Sequence, residues 1–352
     1  MPNWLSAMEQ TYEYYIVDPG TWKDVQKLTT VVSCTITRDS SVETLGSATF
    51  DISESIGESY IRVYLITIQN GIREKHPLGT FLVQTPASQH DGKRRGFSID
   101  AYTPLIELKE SPPALGYTIR KGANVMDNVY RLTRERVRAP VVKPQSDVTL
   151  HDDFVAATND TWMTFNADLA EKAKHKYGLD ALGRIIFDVE QDVKTLQPVW
   201  TYDDDNSSIL YPDVSVTHDL YGIPNVIEVL YTNGSGHFYA KVVNDDPNSP
   251  TSVVSRGREI VQRVTDPNIG GIPTENQVRE YAERLLKTLS TIEYTATYKH
   301  GYCPVQLGDC VRLNYRRGDM IGIKGRVISQ SIKCEPGCPV TEKIVYAKQL
   351  WR

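Results

Sequence analysis

Four of the five cysteines of this 352-residue chain lie between residues 302 and 352. They form two closely spaced pairs, Cys303 with Cys310 and Cys334 with Cys338. Neighbouring strands lie only about 5 Å apart, so a sheet in this stretch would bring both pairs to one end of a module. Four thiolates that meet in this way hold either zinc, tetrahedrally, or an iron–sulfur cluster. The sequence therefore predicts a metal site on these four cysteines.

The spacing of the cysteines leaves other interpretations open. Zinc knuckles usually separate paired cysteines by two residues, whereas six and three residues intervene here. Cysteines are often small buried core residues, and in an oxidising environment each pair can close a disulfide. The fifth, Cys34, lies alone within a predicted strand and is assigned to the core.

No catalytic motif accompanies the cysteines. The sequence has no Walker phosphate loop, no Gly-x-Ser-x-Gly elbow, no His-Glu-x-x-His motif and no dinucleotide glycine fingerprint. The run His151-Asp152-Asp153 is interpreted as a polar loop. The acidic run from Asp203 lacks the turn glycine and the distal glutamate of an EF-hand and is interpreted as a solvated loop. We expect no catalytic residues and no enzymatic activity.

The composition is that of a globular chain with a sizeable core. Hydrophobic residues make up 40% and charged residues 24% of the sequence. A net charge of −5 argues against a protein that grips a nucleic-acid backbone, but it allows DNA to pass without sticking. No apolar run is long enough to span a bilayer, so we expect no membrane insertion and folding in the cytoplasm.

The first part of the chain, residues 11–102, has the pattern of a compact β module. Short runs rich in β-branched and aromatic residues alternate with turn residues, and the pair Asn70-Gly71 favours a tight hairpin. The runs that predict strands are Tyr12–Val17, Val31–Thr37, Ala48–Ile52, Ile61–Ile68, Gly79–Val83 and Gly96–Tyr102. A barrel or sandwich is expected, because no helical pattern interrupts these runs.

The middle of the chain mixes helices and strands. Apolar spacing predicts a helix over 124–137, with arginines on and just after it that we interpret as a charged, solvated face. A second helix, capped by Asp160 or Thr161, is expected to run until Gly178. Strands are expected over 183–189 and 198–202.

The last part of the chain is a second β module with an insertion. Alternating runs predict strands over 214–218, 225–232, 238–243 and 294–298, followed by a closing antiparallel sheet over 302–352. Between them, Thr274 and Gln277 form a capping box at the start of an amphipathic helix. The expected fold class is therefore β-rich α+β. It comprises two tube-type β-barrel or sandwich domains, the second split by a helical insertion, and a mixed α/β middle domain.

The order of these segments resembles that of the hub proteins at the distal end of long phage tails. The resemblance covers nearly the whole chain and no motif in it is catalytic. It is carried by the segments Ser33–Arg38, Leu45–Ile52, Leu78–Pro86, Gly222–Val229, Gly308–Val311 and Lys348–Trp351.

The resemblance implies domain boundaries and an assembly. Residues 1–102 would form the first tube-like domain, 103–211 the middle domain, and 212–245 with 292–352 the second tube-like domain around the insertion 246–291. Three copies would close into a homotrimeric ring, which a repeated framework with heterologous contacts allows. Such a ring adapts the sixfold tail tube to a threefold spike or fibre.

The resemblance also implies partners, a location and a cofactor. The partners would be the tail tube or distal tail protein, the tape-measure protein and a spike or fibre protein, with DNA only in transit. The protein would reside at the tip of the virion tail after assembly in the host cytoplasm. Some tail-tip proteins carry a cysteine-held iron–sulfur cluster, so the resemblance favours iron–sulfur over zinc. The alternative function is a tail-associated protein that degrades the cell wall or binds carbohydrate.

Overall fold

The computed structural model of the chain describes residues 2–54, 56–90, 95–189, 191–205, 208–233, 236–267, 269 and 274–351. The chain divides into two compact units. The first unit comprises Met1–Val214 and Tyr298–Lys343, and the second comprises Ser215–Thr297 and Ile344–Arg352. The expected turn at 233–236 includes residues 234 and 235, which lie outside the described residues.

Strands dominate the described part of the chain, as the predicted β-rich α+β class requires. The strands are β1 Glu9–Asp18, β2 Lys23–Leu28, β3 Val31–Asp39, β4 Gly46–Ile52, β5 Tyr60–Gln69, β6 Ile72–His90, β7 Arg95–Tyr102, β8 Thr118–Ile119, β9 Phe154–Val155, β10 His175–Leu179, β11 Ile185–Val189, β12 Trp200–Asp203, β13 Leu210–His218, β14 Val226–Asn233, β15 Gly236–Val243, β16 Val261–Thr265, β17 Thr291–Gly301, β18 Cys310–Tyr315, β19 Met320–Lys333 and β20 Pro339–Gln349. The helices are α1 Ile106–Lys109, α2 Val125–Arg134, α3 Trp162–Glu171, α4 Val253–Arg256 and α5 Glu275–Leu289.

The first seven strands form one antiparallel sheet in the order β2-β1-β5-β6-β7-β4-β3. In β4, Ala48, Phe50 and Ile52 are buried while the residues between them face outward, which is the period of two that a half-buried strand requires. Asn70 and Gly71 have φ of 52° and 78°, so they form the tight turn expected between β5 and β6. Every strand expected between residues 11 and 102 is confirmed.

The C-terminal strands extend this sheet. Ser329–Lys333 of β19 pair antiparallel with Thr35–Asp39 of β3, and β19 also pairs with β18. The sheet continues from β19 through β20 and β17 to β13. We call the pairing of β3 with β19 the β3–β19 ladder; it joins the two ends of the sequence.

The expected helices form, with one error of length. Asn124, Thr161 and Thr274 cap α2, α3 and α5, and Thr274 makes the reciprocal capping box with Gln277. The prediction that α3 continues to Gly178 is wrong, because the helix ends at Glu171 and His175–Leu179 form a strand paired with β11. Lys174 adopts a left-handed φ of 56°, which turns the chain out of the helix.

The second unit contains a three-stranded sheet in the order β15-β14-β16. Helix α5 packs on this sheet, and Val278, Ala282 and Leu286 face Ile227 and Val229. The polar sequence of β16 gave no strand signal, and β16 forms because it pairs in parallel with β14. The stretch 246–291 thus packs with β14 and β15; the domain boundaries drawn from the sequence stay a prediction. No helix of the described residues has the length and apolar composition needed to cross a bilayer.

One carbonyl group of the middle segment collects several donors from the first sheet. Leu182 O accepts hydrogen bonds from Trp22 Nε1 at 3.0 Å, Thr80 Oγ1 at 2.8 Å and Arg62 Nη2 at 3.3 Å. We call these four residues the Leu182 clamp. The neighbouring Gly183 has φ of +76°, and a Cβ there would lie 2.7 Å from Thr80 Cβ, so only glycine fits this close approach.

Arg62 carries a buried charge within the Leu182 clamp. Its side chain is only 4% exposed, and Nη1 donates to Asp24 Oδ1 at 2.9 Å. Tyr64 also donates to this carboxylate, at 2.8 Å. Removing the guanidinium from this network leaves Asp24 and the Leu182 carbonyl with fewer donors, which costs more than the ion pair itself contributes.

We predict that Arg62→Met lowers the free energy of unfolding by about 3 kcal/mol, because Asp24 loses the guanidinium counter-charge and Leu182 O loses one of its three donors. Urea denaturation followed by tryptophan fluorescence measures this loss. Arg73→Met is the matched control, since Arg73 pairs with Glu13 but is 51% exposed and should cost less than about 1 kcal/mol. Equal losses in the two variants would contradict a structural role for the clamp.

Candidate functional site

A cluster of polar side chains is buried where β12, β17, β19 and β20 meet in the first unit. Each of its members is no more than 2% exposed. We call this group the buried polar cluster; its members are Tyr202, Tyr298, His300, Cys303, Gln330 and Glu342. The alternation of side chains along the strands explains this burial. Glu342, for example, lies between Val340 and Ile344 on the inward face of β20.

Glu342 is the centre of the buried polar cluster. Tyr298 Oη donates to Oε1 at 2.6 Å, and Gln330 Nε2 donates to Oε2 at 2.7 Å. His300 Nε2 lies 3.6 Å from Oε2, while His300 Nδ1 donates to Gly301 O at 2.7 Å. Both carboxylate oxygens therefore have donors, as a buried charge requires.

The electrostatics of the cluster are those of an ion pair. Burial by itself lowers the pKa of His300, but hydrogen bonding to Cys303 and Glu342 and the charge of Glu342 raise it to about 10. Burial raises the pKa of Glu342, yet the His300 partner and the donors from Tyr298 and Gln330 bring it below its ordinary value. His300 is therefore an imidazolium and Glu342 a carboxylate at neutral pH.

Cys303, His300 and Glu342 are also the residue types of a nucleophile, a base and an orienting acid. Cys303 Sγ lies 3.9 Å from His300 Nδ1, but that nitrogen carries its proton toward Gly301 O. A base must accept the proton of its nucleophile and reach a substrate, and these side chains are enclosed. The geometry supports a structural ion pair and not an exposed catalytic triad.

The four predicted metal ligands have different surroundings. Cys303 belongs to the buried polar cluster, with its Sγ 3.2 Å from Tyr202 Oη. Cys310 is buried on β18, with Sγ 4.0 Å from Val193 O. Cys338 is buried in the core of the first sheet, and Cys334 packs partly buried against that core.

The structure gives Cys34 a neighbour that the sequence did not indicate. Cys34 is buried in the same core, as expected, and Cys334 N donates to Cys34 O at 2.9 Å. The cysteines are all free thiols. Within the described ranges, no three His, Cys, Asp or Glu side chains are grouped so as to hold a metal ion. The metal site on Cys303, Cys310, Cys334 and Cys338 stays a prediction, and iron and zinc analysis of anaerobically purified protein would test it.

Three of the four arginines on and just after α2 are engaged with other groups. Arg131 pairs with Glu135, Arg138 pairs with Glu58 and Glu107, and the Arg136 guanidinium lies 3.5 Å from the centroid of the Trp162 ring. These contacts fit the interpretation of a charged protein face better than that of a surface held ready for DNA.

The sequence contains a pattern that indicates the buried polar cluster, but a search for catalytic motifs does not detect it. On β17 the inward positions run Ile292, Tyr294, Ala296, Tyr298 and His300, so a histidine occupies the apolar phase of the strand. Glu342 occupies the same phase of β20. A titratable residue in the buried phase of a strand needs a partner, although the alternation does not say which one.

Comparison with known proteins places this arrangement within a class of folds. No family model matches the sequence, and no curated protein matches it either. The tail protein from Neisseria meningitidis MC58 has a similar structure, with a TM-score of 0.59 and 12% identity over 97% of this chain and 98% of that one. The 43 kDa tail protein of prophage MuSo2 from Shewanella oneidensis also has a TM-score of 0.59, with 10% identity over 96% of this chain and 98% of that one.

A secretion-system protein shares the fold as well. The Escherichia coli c3393 protein is a component of the type VI secretion system with structural similarity to the T4 bacteriophage tail proteins gp27 and gp5. It has a TM-score of 0.51 and 8% identity over 96% of this chain and 78% of that one. This chain therefore has the fold of phage tail and baseplate hub-type proteins, and the resemblance predicted from the sequence is confirmed at the level of the fold.

We predict that Glu342→Gln destabilises the protein by about 3 kcal/mol at pH 7, because it leaves His300 without its counter-charge. The folded-state pKa of His300 is raised above its ordinary 6.5, so its contribution is full below pH 6.5 and is lost as the pH rises toward 10. The pKa of Glu342 is lowered, so its contribution is lost as the pH falls below its ordinary 4.5.

Denaturant titrations at several pH values between 6 and 10 measure this dependence. The wild-type protein should lose stability with rising pH, and the variant should show a flatter profile. Glu293→Gln, at an exposed position of β17, is the control and should match the wild type. A variant profile parallel to that of the wild type would rule out the ion pair.

Proposed function

We propose that the protein is the structural hub of a bacteriophage tail tip or baseplate. The observation that carries this proposal is the end-to-end likeness to tail proteins, which spans 97% of this chain and 98% of the Neisseria protein. A likeness over whole chains of similar length favours a shared architectural role over a shared accessory module. The hub would lie in the virion tail and contact tail tube, tape-measure and spike or fibre proteins.

The proposed assembly is a homotrimeric ring around a channel for the tape measure and then DNA. Two tube-type β domains in each copy, the second one split, would offer six related positions to the tail tube. A ring requires heterologous contacts, in which two unlike surfaces of successive copies meet. The net charge of −5 is compatible with a lumen that does not retain DNA.

The sheet supplies two unlike surfaces for such contacts. Along the main strand order of the large sheet, β13 and β2 are the outermost of the described strands. Both strands are largely exposed, and Val25 of β2 is 63% exposed. An exposed edge presents unpaired backbone groups that pair readily with another chain. We propose that β2 and β13 of successive copies lie at the ring contacts.

Size-exclusion chromatography with light scattering tests the assembly. We expect a species of about three times the 39.7 kDa chain mass, alone or with the tail tube protein added. Val25→Glu should weaken this species by placing a charge at the edge, whereas Ile72→Glu, at a position that is 64% exposed but away from the sheet edges, should not.

Each result has a separate meaning for the proposal. A chain that stays monomeric and binds neither tube nor spike protein would sink the hub function. A trimer that forms equally well with Val25→Glu would contradict only the proposal that β2 lies at the ring contact. Peptidoglycan turnover that depends on a particular carboxylate would favour a wall-degrading protein instead.

A further inference from the structure

The β3–β19 ladder places two cysteines opposite each other. Its register pairs Ile36 with Ile332 and Thr35 with Lys333. One further step brings Cys34 opposite Cys334, and Cys334 N donates to Cys34 O at 2.9 Å. The two cysteines are therefore directly opposed across strands that come from opposite ends of the sequence.

The type of position suits a covalent link. The backbone hydrogen bond from Cys334 N to Cys34 O continues the ladder by one step, and directly opposed Cα atoms of an antiparallel sheet lie about 4.5 to 5.5 Å apart. Disulfides span Cα distances of about 4.4 to 6.8 Å and are most frequent near 5.5 to 6 Å. The backbone therefore needs little movement to accommodate a disulfide.

The side chains share one environment. Directly opposed residues of a sheet project from the same face. Cys34 is 3% exposed within the core of the first sheet, and Cys334 packs against that core while it keeps part of its surface accessible.

We propose that Cys34 and Cys334 form an oxidation site, a dithiol that closes to a reversible cross-strand disulfide when the protein meets a hydroperoxide. The link would tie β3 to β19 and would enclose about 300 residues of chain, which constrains the unfolded state strongly. It differs from the disulfide alternatives suggested by sequence spacing, which pair Cys303 with Cys310 and Cys334 with Cys338.

The chemistry balances with one hydrogen peroxide per disulfide. The partly exposed Cys334 thiolate attacks one oxygen of hydrogen peroxide; the S–O bond forms and the O–O bond breaks. The hydroxide that leaves takes up the proton lost by the Cys334 thiol, which gives a sulfenic acid and one molecule of water. The Cys34 sulfur then attacks the Cys334 sulfur; the S–S bond forms, the S–O bond breaks and a second water leaves with the Cys34 proton. Two thiols are oxidised and the peroxide is reduced to two waters.

The two cysteines have different roles in this reaction. Cys34 is 3% exposed, so it does not meet the oxidant first. Cys334 is the accessible member, and Cys34 resolves the sulfenic acid across the ladder. Cys338, buried in the same core, is the competing partner because it lies only a turn away.

Hydrogen peroxide added to the reduced chain, followed by mass spectrometry of trypsin-cut protein without reduction, tests the proposal. We expect a loss of two hydrogen atoms and a crosslinked peptide that contains Cys34 and Cys334. The thermal midpoint should rise by about 5 °C and should return on treatment with dithiothreitol. These readouts do not depend on assembly, so they stand or fall separately from the hub function.

Two variants and a metal measurement sharpen the result. Cys34→Ser should abolish the crosslink and the thermal shift, whereas Cys338→Ser should preserve both. A link between Cys334 and Cys338, a sulfinic acid at Cys334 without any crosslink, or iron or zinc bound through Cys334 would each overturn the proposal. The crosslink map of the wild-type chain decides the matter even where a variant fails to fold.

Discussion

The β3–β19 ladder is the contact on which the rest of the first unit depends. It joins strands from the two ends of the sequence into one sheet, and its register positions both groups of reactive side chains. At one step Arg38 faces Gln330, which accepts from the Arg38 guanidinium and donates to Glu342. At another step Cys34 faces Cys334. A slip of one residue would turn each of these side chains to the opposite face, so the hydrophobic pattern and the polar contacts demand the same register.

The buried polar cluster favours this one register over its neighbours, although burying its charged groups costs desolvation free energy. An apolar core would tolerate several neighbouring packings, whereas a buried carboxylate tolerates only those in which its donors arrive together. Tyr298, Gln330 and His300 come from two different strands and meet at Glu342. We interpret the cluster as a structural element that fixes the order and register of these strands. Its enclosure fits such a structural role.

The Leu182 clamp helps to fix the position of the middle segment. A loop between β10 and β11 is fixed to the first sheet through one carbonyl group, a buried guanidinium and a glycine that permits close approach. In the proposed hub, rigid attachment of the middle segment would help to hold the proposed partners in a fixed relation.

The sequence by itself determined the local elements: the strand alternation, the Asn70-Gly71 hairpin and the capping box of Thr274 with Gln277, because each depends on residues that are close along the chain. It also determined the β-rich class and the resemblance to tail hubs. Only the tertiary structure decided that His175–Leu179 leave the helix, that β16 is a strand, that His300 meets Glu342 and that Cys34 faces Cys334. These outcomes depend on partners far away in the sequence, and pairing with such partners outweighs the weak local preferences of short segments.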